Sequence, residues 1–311
     1  MRIFVTRPIP AEGLAVLQEA GLIVHVRQEE RPIDRTALLA GVRGARGLLC
    51  MLTDRVDAEV LEAGPLAVVA NMAVGTDNLD LAAARERGVV VTNTPGVLTD
   101  ATADLAMALL LAAARRIVEG DAMVRRGEFV GWGPLVMVGA DLSGQTLGII
   151  GPGRIGAAVA RRARAFGMEV VVAARTDHPE VGPRLELEDL LRVSDVVSLH
   201  CPLTPATRHL LDARRLALMK PQAILINTAR GPVVDEEALV QALASGRLGA
   251  AGLDVYEREP AVHPGLLALP NVVLAPHSGS ATRRTRGTMA AMAAADLVAV
   301  LEGRAPRHRV V

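Results

Sequence analysis

From Thr146 to Gly156 the chain reads T-L-G-I-I-G-P-G-R-I-G, a short apolar run broken by glycines at 151, 153 and 156 and followed at once by a helical pattern. No other stretch narrows the local fold as much. Leu147 to Ile150 deliver the chain to Gly151, which can take a tight turn. Gly153 has no side chain to keep the backbone away from a pyrophosphate, and Gly156 lets the next helix lie close on the strand. The helix is expected from about Arg154 to Phe166, with Ile155, Val159, Ala163 and Phe166 on one face and Gly167 ending it. Its unpaired N–H groups and its dipole favour a phosphate at the turn, which Pro152, Arg154 and Ile155 would also border. Three glycines alone are a weak signal. Here strand, glycines, helix and a second strand, Glu169 to Ala173, follow in order within about thirty residues, the length of one βαβ nucleotide-binding unit.

The same alternation runs through the rest of the chain. Ile3 to Thr6, Ile23 to Arg27, Gly47 to Cys50, Ala67 to Asn71 and Val89 to Asn93 are short apolar or β-branched runs separated by helix-like segments. Strands at Val196 to Leu199, Ala223 to Ile226, Ala250 to Val255 and Val272 to Leu274 follow the glycine turn. This pattern predicts α/β architecture with two parallel sheets, each covered by helices on both faces. A long Ala/Leu helix from about Asp100 to Arg116, after Thr94-Pro95-Gly96, marks a domain boundary. Gly127 to Asp141, glycine-dotted and poor in charge, reads as an irregular arm, and Thr285 to Glu302 as a closing helix that returns to the first domain.

At 311 residues, half of them apolar, the chain can bury two cores. Its formal charge of zero and pI near 7.1 remove the electrostatic case for nucleic acid or an anionic membrane surface, which leaves a small molecule as the expected partner. The longest apolar stretch, Leu105 to Ala114, is too short to span a bilayer. Two cysteines, Cys50 and Cys201, sit in apolar strand-like runs, and no basic-apolar leader precedes Ile3, so the expected location is the cytoplasm.

Ligands of open α/β sheets bind beyond the carboxyl ends of the strands. Three such ends here carry Asn227-Thr228-Ala229-Arg230-Gly231, Tyr256-Glu257-Arg258-Glu259-Pro260 and Ala275-Pro276-His277-Ser278-Gly279. Reducing a ketone with a nicotinamide hydride requires a proton for the developing alkoxide, and histidine suits that task near neutral pH. A neighbouring carboxylate favours the protonated ring. A guanidinium can grip a substrate carboxylate with two hydrogen bonds and polarise the adjacent carbonyl. An Arg, a Glu and a His around one crevice are thus the parts of a 2-keto-acid reductase. Local sequence leaves His200 as a rival to His277, and Glu257 as a rival to Glu259.

Gly151-x-Gly153-x-x-Gly156, Asn227 to Gly231, L-D-V-Y-E-x-E-P from Leu253 to Pro260, and Pro276-His277 together resemble the D-isomer-specific 2-hydroxyacid dehydrogenase family over essentially the whole chain. The spacings match as well, with 29 positions from Arg230 to Glu259 and 18 from Glu259 to His277. Within the family the nearest likeness is to glyoxylate/hydroxypyruvate reductases, through G-L-L-C-M-L-T-D from Gly47, T-P-G-V-L-T-D-A-T-A-D from Thr94 and H-S-G-S-A-T-R-R-T-R from His277. The resemblance implies two Rossmann-like or flavodoxin-like domains with a cleft between them. Residues 1–97 plus 284–311 would bind substrate, and 98–283 would bind the dinucleotide. It implies His277 as the acid-base residue, Glu259 as its partner, and Arg230 on the substrate carboxylate and carbonyl. The Val74-Gly75 N–H groups would hold the carboxylate, with Leu52 on the pocket wall. Further cofactor contacts are implied at Thr102, Cys201, Pro202, Thr228, Ala229, Asp254 and Gly279, and no metal is implied. Asp254 would approach the nicotinamide carboxamide, the alternative being a turn cap. Relatives use the arm, which here carries Trp132, in a homodimer.

Cofactor choice turns on the end of the second nucleotide strand. An NAD site has an Asp or Glu there, about twenty residues past the glycines, to accept from the ribose hydroxyl. This chain reads Val172-Ala173-Ala174-Arg175-Thr176, and the acid is absent. Arg175 and Thr176 resemble the pair with which NADP-using members meet the extra phosphate. NADPH is therefore expected, with NADH as the alternative if Asp177 serves the hydroxyl. The expected activity is reduction of glyoxylate to glycolate or hydroxypyruvate to D-glycerate, with the crevice closing over cofactor and substrate. Second readings are phosphoglycerate dehydrogenase, whose appended regulatory domain finds no room here, another D-2-hydroxyacid dehydrogenase, and a nicotinamide-sensing corepressor.

Overall fold

A computed structural model describes residues 1–311, which divide into two compact units, Met1–Leu98 with Ser280–Val311 and Thr99–Gly279. The first unit is built on β1 (Arg2–Val5), β2 (Ile23–Val26), β3 (Gly47–Cys50), β4 (Val68–Asn71) and β5 (Val90–Thr92). They form one parallel sheet in the order β2-β1-β3-β4-β5. The order reverses between β1 and β3, so their carboxyl ends flank a crevice where loops can gather polar groups. Alternate strand residues feed opposite faces. Phe4, Leu48 and Val69 join one core cluster, whereas Ile3, Val5, Leu49 and Val68 join the other with Ala290, Ala294 and Leu297 of the helix Arg283–Leu301. That helix lies against the helix Ala11–Glu19 at close range, and a Cβ at Gly13 would fall 2.8 Å from that of Ala290.

The second unit carries β6 (Thr146–Ile150), β7 (Glu169–Ala173), β8 (Val196–Leu199), β9 (Ile224–Asn227), β10 (Ala250–Leu253) and β11 (Val272–Leu274). All pairs are parallel, in the order β11-β10-β9-β8-β6-β7, and Ile150 is in register with Ala173 on one side and Leu199 on the other. Leu147 and Ile149 pack with the helices Thr99–Ala114 and Arg154–Ala165, while Ile150, Val197, Leu199 and Leu225 serve the opposite core. Each wholly buried Leu or Ile here contributes roughly 1.5–3 kcal/mol relative to exposure.

Some expectations shift. The helix after the glycine turn buries Val159 and Ala163 as expected, but Phe166 stands at its C-cap and is 45% exposed, because the chain leaves the helix there through Gly167 at φ +77°. Cys201 lies in the loop beyond β8 rather than in the strand. The Ala/Leu helix stops at Ala114. Arg116 takes a left-handed φ of +53°, and a second helix, Ile117–Arg125, precedes the arm, which has no helix or strand from 127 to 141. A left-handed arginine at that point has no sequence signature. No helix is long and apolar enough to cross a membrane.

Candidate active site

The glycine turn sits where the second sheet reverses, between the carboxyl ends of β6 and β8. Gly151 has φ +89°, donates its N–H to the Ala173 carbonyl at 3.1 Å, and lies so near β8 that a Cβ would stand 2.7 Å from the Cys201 nitrogen. Pro152 is buried behind the turn. A Cβ at Gly156 would meet the Gly151 carbonyl oxygen at 2.6 Å, so helix and turn touch through backbone. Above Gly153 there is open space within 4 Å, and no side chain caps the helix that begins at Arg154 and Ile155, whose first N–H groups are left to a ligand. The buried Thr228 hydroxyl, beside Ala229 past β9, has no protein partner. These are features a dinucleotide would satisfy. Ala174, Arg175 and Thr176 follow β7, the last two exposed, and Thr176 lies 3.4 Å from the His178 ring. Asp177 faces Arg184 at 3.3 Å. Pro202 is exposed beside half-buried Cys201, whose thiol burial pushes up to about 11.

On the same side of the sheet the loops past β9, β10 and β11 bring together two of the three chemical groups in direct contact. His277 Nδ1 and Glu259 Oε2 are 2.8 Å apart, each side chain about a quarter exposed. Burial alone would raise the Glu259 carboxyl. The hydrogen bond with His277, its charge, the Tyr256 N–H and the charge of Arg230 outweigh burial and hold it below the usual carboxylate range. Arg230 is half-buried, donates to the Ala229 carbonyl at 2.8 Å, and has its own carbonyl held by Asn227 Nδ2 at 3.0 Å. The rivals face elsewhere. Glu257 lies 2.8 Å from His209 Nε2, and burial pushes His200 down to about 4, which disfavours the imidazolium form a general acid needs.

Asp254 is 1% exposed, and burial raises its carboxyl although Oδ1 accepts from the Ser278 N–H at 2.6 Å and Oδ2 from the Gly279 N–H at 2.8 Å. It therefore braces the loop that carries His277. Thr102, buried at the start of its helix, packs on the same spot, since a Cβ at Gly279 would stand 3.2 Å from both its methyl and Asp254. In the first unit, half-buried Leu52 follows β3 and half-buried Val74 and Gly75 follow β4. Asn78 Nδ2 ties these turns together by donating to the Met51 and Asp54 carbonyls at 3.1 and 3.0 Å.

Two residues of the quoted motifs that were given no role of their own brace the centre. Tyr256, the only tyrosine in the chain, donates its buried hydroxyl to the Ala275 carbonyl at 2.8 Å and so links the Glu259 loop to the His277 loop. Gly231 lies so close to the next loop that a Cβ would fall 1.8 Å from the Tyr256 carbonyl carbon. Gly231→Ala must push the Arg230 and Glu259 loops apart, so it is expected to cost at least about 1–3 kcal/mol of stability and to depress kcat. A thermal melt with steady-state rates checks this, and an unchanged Tm and kcat would refute the close approach.

Residues 107–279 match the NAD-binding domain family of the D-isomer specific 2-hydroxyacid dehydrogenases. The chain is 50% identical to a glyoxylate reductase of Thermococcus litoralis, over 99% of this chain and 96% of that one. A glyoxylate reductase of Pyrococcus horikoshii is also 50% identical, over 98% and 94%. Among solved structures, the TT0316 protein of Thermus thermophilus superposes with a TM-score of 0.96 at 55% identity over the full length of both chains. An NADPH-dependent glyoxylate/hydroxypyruvate reductase of Sinorhizobium meliloti, crystallised with NADP and malonate, superposes at 0.90 with 35% identity, covering 100% of this chain and 96% of that one.

Proposed function

The chain belongs to the D-isomer-specific 2-hydroxyacid dehydrogenase family, and on that premise we propose that it reduces glyoxylate to glycolate and hydroxypyruvate to D-glycerate. The observation that carries this reading is the 2.8 Å contact of His277 with Glu259 at the strand ends next to Arg230, in the unit that carries the glycine turn. The unit Thr99–Gly279 takes the dinucleotide and the other takes substrate.

Gly151 to Gly156 would hold the pyrophosphate, and Thr102, Cys201, Pro202, Thr228 and Asp254 would make further contacts to the dinucleotide. When bound, the reduced nicotinamide supplies a hydride to the keto carbon. Arg230 would grip the carboxylate and draw electron density toward the carbonyl oxygen. His277 would give its proton to that oxygen, so that the aldehyde of glyoxylate becomes a primary alcohol and the ketone of hydroxypyruvate a secondary one. Glu259 steadies the charged ring before transfer and fixes which nitrogen faces substrate. Steady-state assays with glyoxylate, hydroxypyruvate, 3-phosphohydroxypyruvate and pyruvate test the assignment. The first two are expected to have the highest kcat/KM, a preference for the phosphorylated acid would favour phosphoglycerate dehydrogenase, and absence of turnover with all four would sink the reading.

NADPH is the preferred cofactor in this proposal. Arg175 and Thr176 are exposed at the end of β7, and the carboxylate of Asp177 is engaged by Arg184. One charge-assisted hydrogen bond to a 2′-phosphate contributes roughly 1.5–3 kcal/mol, which corresponds to at least about a tenfold preference. Arg175→Ala is expected to raise KM for NADPH by about that factor and leave NADH unchanged. Equal efficiencies with both cofactors in the unaltered protein would refute it.

The arm is the surface proposed to pair two copies of the chain. Val130, Trp132 and Leu135 are 97%, 88% and 88% exposed, next to exposed Ile117 and Val124 on the preceding helix, an apolar surface of the kind that marks an interface. Sedimentation should give a dimer, and the double variant Trp132→Glu, Leu135→Glu a monomer. A monomeric unaltered protein would end the proposal. Two free cysteines and the small-molecule chemistry agree with a cytoplasmic location.

A further inference from the structure

The turn after β4 has its carbonyls held and its N–H groups left open. The Val74 carbonyl accepts from Asn93 Nδ2 at 2.8 Å, and the Gly75 carbonyl accepts from Asn71 Nδ2 at 2.8 Å. The backbone N–H groups of Val74, Gly75 and Thr76 donate to no protein acceptor, whereas those of the neighbours Met72 and Ala73 donate to Cys50 and Asn71 at 2.9 and 2.8 Å. In a planar trans peptide the C=O and the following N–H point in opposite directions. Turning the Val74 oxygen toward Asn93 therefore turns the Gly75 N–H away from it, and the bond from Asn71 does the same for the Thr76 N–H.

The Asn71 amide is held in this orientation, and the backbone that carries Asn93 is pinned. Asn71 is wholly buried, with its Oδ1 facing Asn78 Nδ2 at 3.5 Å and the Cys50 thiol at 3.6 Å, and Asn78 is anchored to the turn after β3. Asn93 directly follows β5, in the neighbouring strand of the sheet, and its own N–H is held by the His308 carbonyl at 3.2 Å. Two side chains from adjacent strand ends thus set the direction of two consecutive peptide planes.

We propose that Asn93 and Asn71 are positioning residues for substrate, fixing the Val74–Thr76 turn so that its Gly75 and Thr76 N–H groups meet the carboxylate of a 2-keto acid. The inference rests on the reductase reading above. It adds that carboxylate affinity depends on two amides that touch no substrate, because a turn left to rotate must be ordered again on every binding event.

The test compares Asn93→Leu and Asn93→Asp, both close in size to asparagine and both without the amide donor, with the unaltered enzyme. KM for glyoxylate is expected to rise about tenfold in both, the size of one directed hydrogen bond to a charged group, with kcat within about twofold and NADPH affinity unchanged. Binding of oxamate to the NADPH complex, measured by calorimetry, should weaken by the same factor. Unchanged KM and oxamate affinity in both variants would overturn the proposal. So would a joint fall of kcat, NADPH affinity and Tm, the signature of general disruption. Should the unaltered protein neither turn over 2-keto acids nor bind oxamate, the reductase reading fails first and takes this inference with it.

Discussion

His277→Ala is expected to lower kcat/KM for reduction of glyoxylate and hydroxypyruvate by a factor of roughly 10²–10⁴, the range for loss of a positioned general acid. The deficit arises from its contact with Glu259, not from the imidazole alone. Glu259 stays ionised although burial opposes it, since the ring's hydrogen bond, the Tyr256 N–H and the nearby arginine together outweigh the cost of desolvation. A carboxylate in that state favours a charged ring, ready to give up a proton. Dinucleotide affinity should be unaffected, because the glycine turn lies at β6 and the histidine past β11. Fluorescence titration with NADPH alongside steady-state rates separates the two. Turnover within tenfold of the unaltered enzyme would remove His277 from the chemistry and reopen the assignment of the proton donor.

Arg230→Lys should be nearly as damaging, with kcat/KM down by roughly 10²–10³, as for loss of one preorganised donor at a developing oxyanion. Lysine keeps the charge, so the loss measures geometry. A guanidinium can hold a carboxylate with two parallel bonds while its plane stays beside a carbonyl, and an ammonium cannot do both. The arginine backbone is prepared for this by the Asn227 amide on its carbonyl and by the close approach of Gly231 to Tyr256. Both KM and kcat are expected to suffer, because carboxylate binding and carbonyl polarisation are lost together. A rise in KM alone would confine the arginine to ground-state binding.

Much of the architecture was legible in the residue string. Strand, glycines, helix and strand at 146–173 are a local pattern, in which periodicity and missing side chains act within one βαβ unit, and the β-branched runs marked every strand within one or two residues. Less legible were features set by a single backbone angle. The break at Arg116 is one, since a left-handed arginine is held by what surrounds it and not by its own preference.

What the sequence by itself determined is the order of elements and the inventory of chemistry: parallel strands, a phosphate-ready turn, and Arg, Glu and His at neighbouring strand ends. Those follow from spacing along the chain, because turns and helix starts are built from residues close in sequence. Local sequence left open which groups meet, the family resemblance implied Glu259 with His277, and the tertiary structure shows the contact itself. Glu259 faces His277 while Glu257, two positions away, turns to His209. His200 is neutral because it is buried, and the amides of Asn71 and Asn93 clamp the turn at 74–76 because β4 and β5 end side by side. Side-chain direction and burial depend on elements far apart in the chain, and no local pattern encodes them.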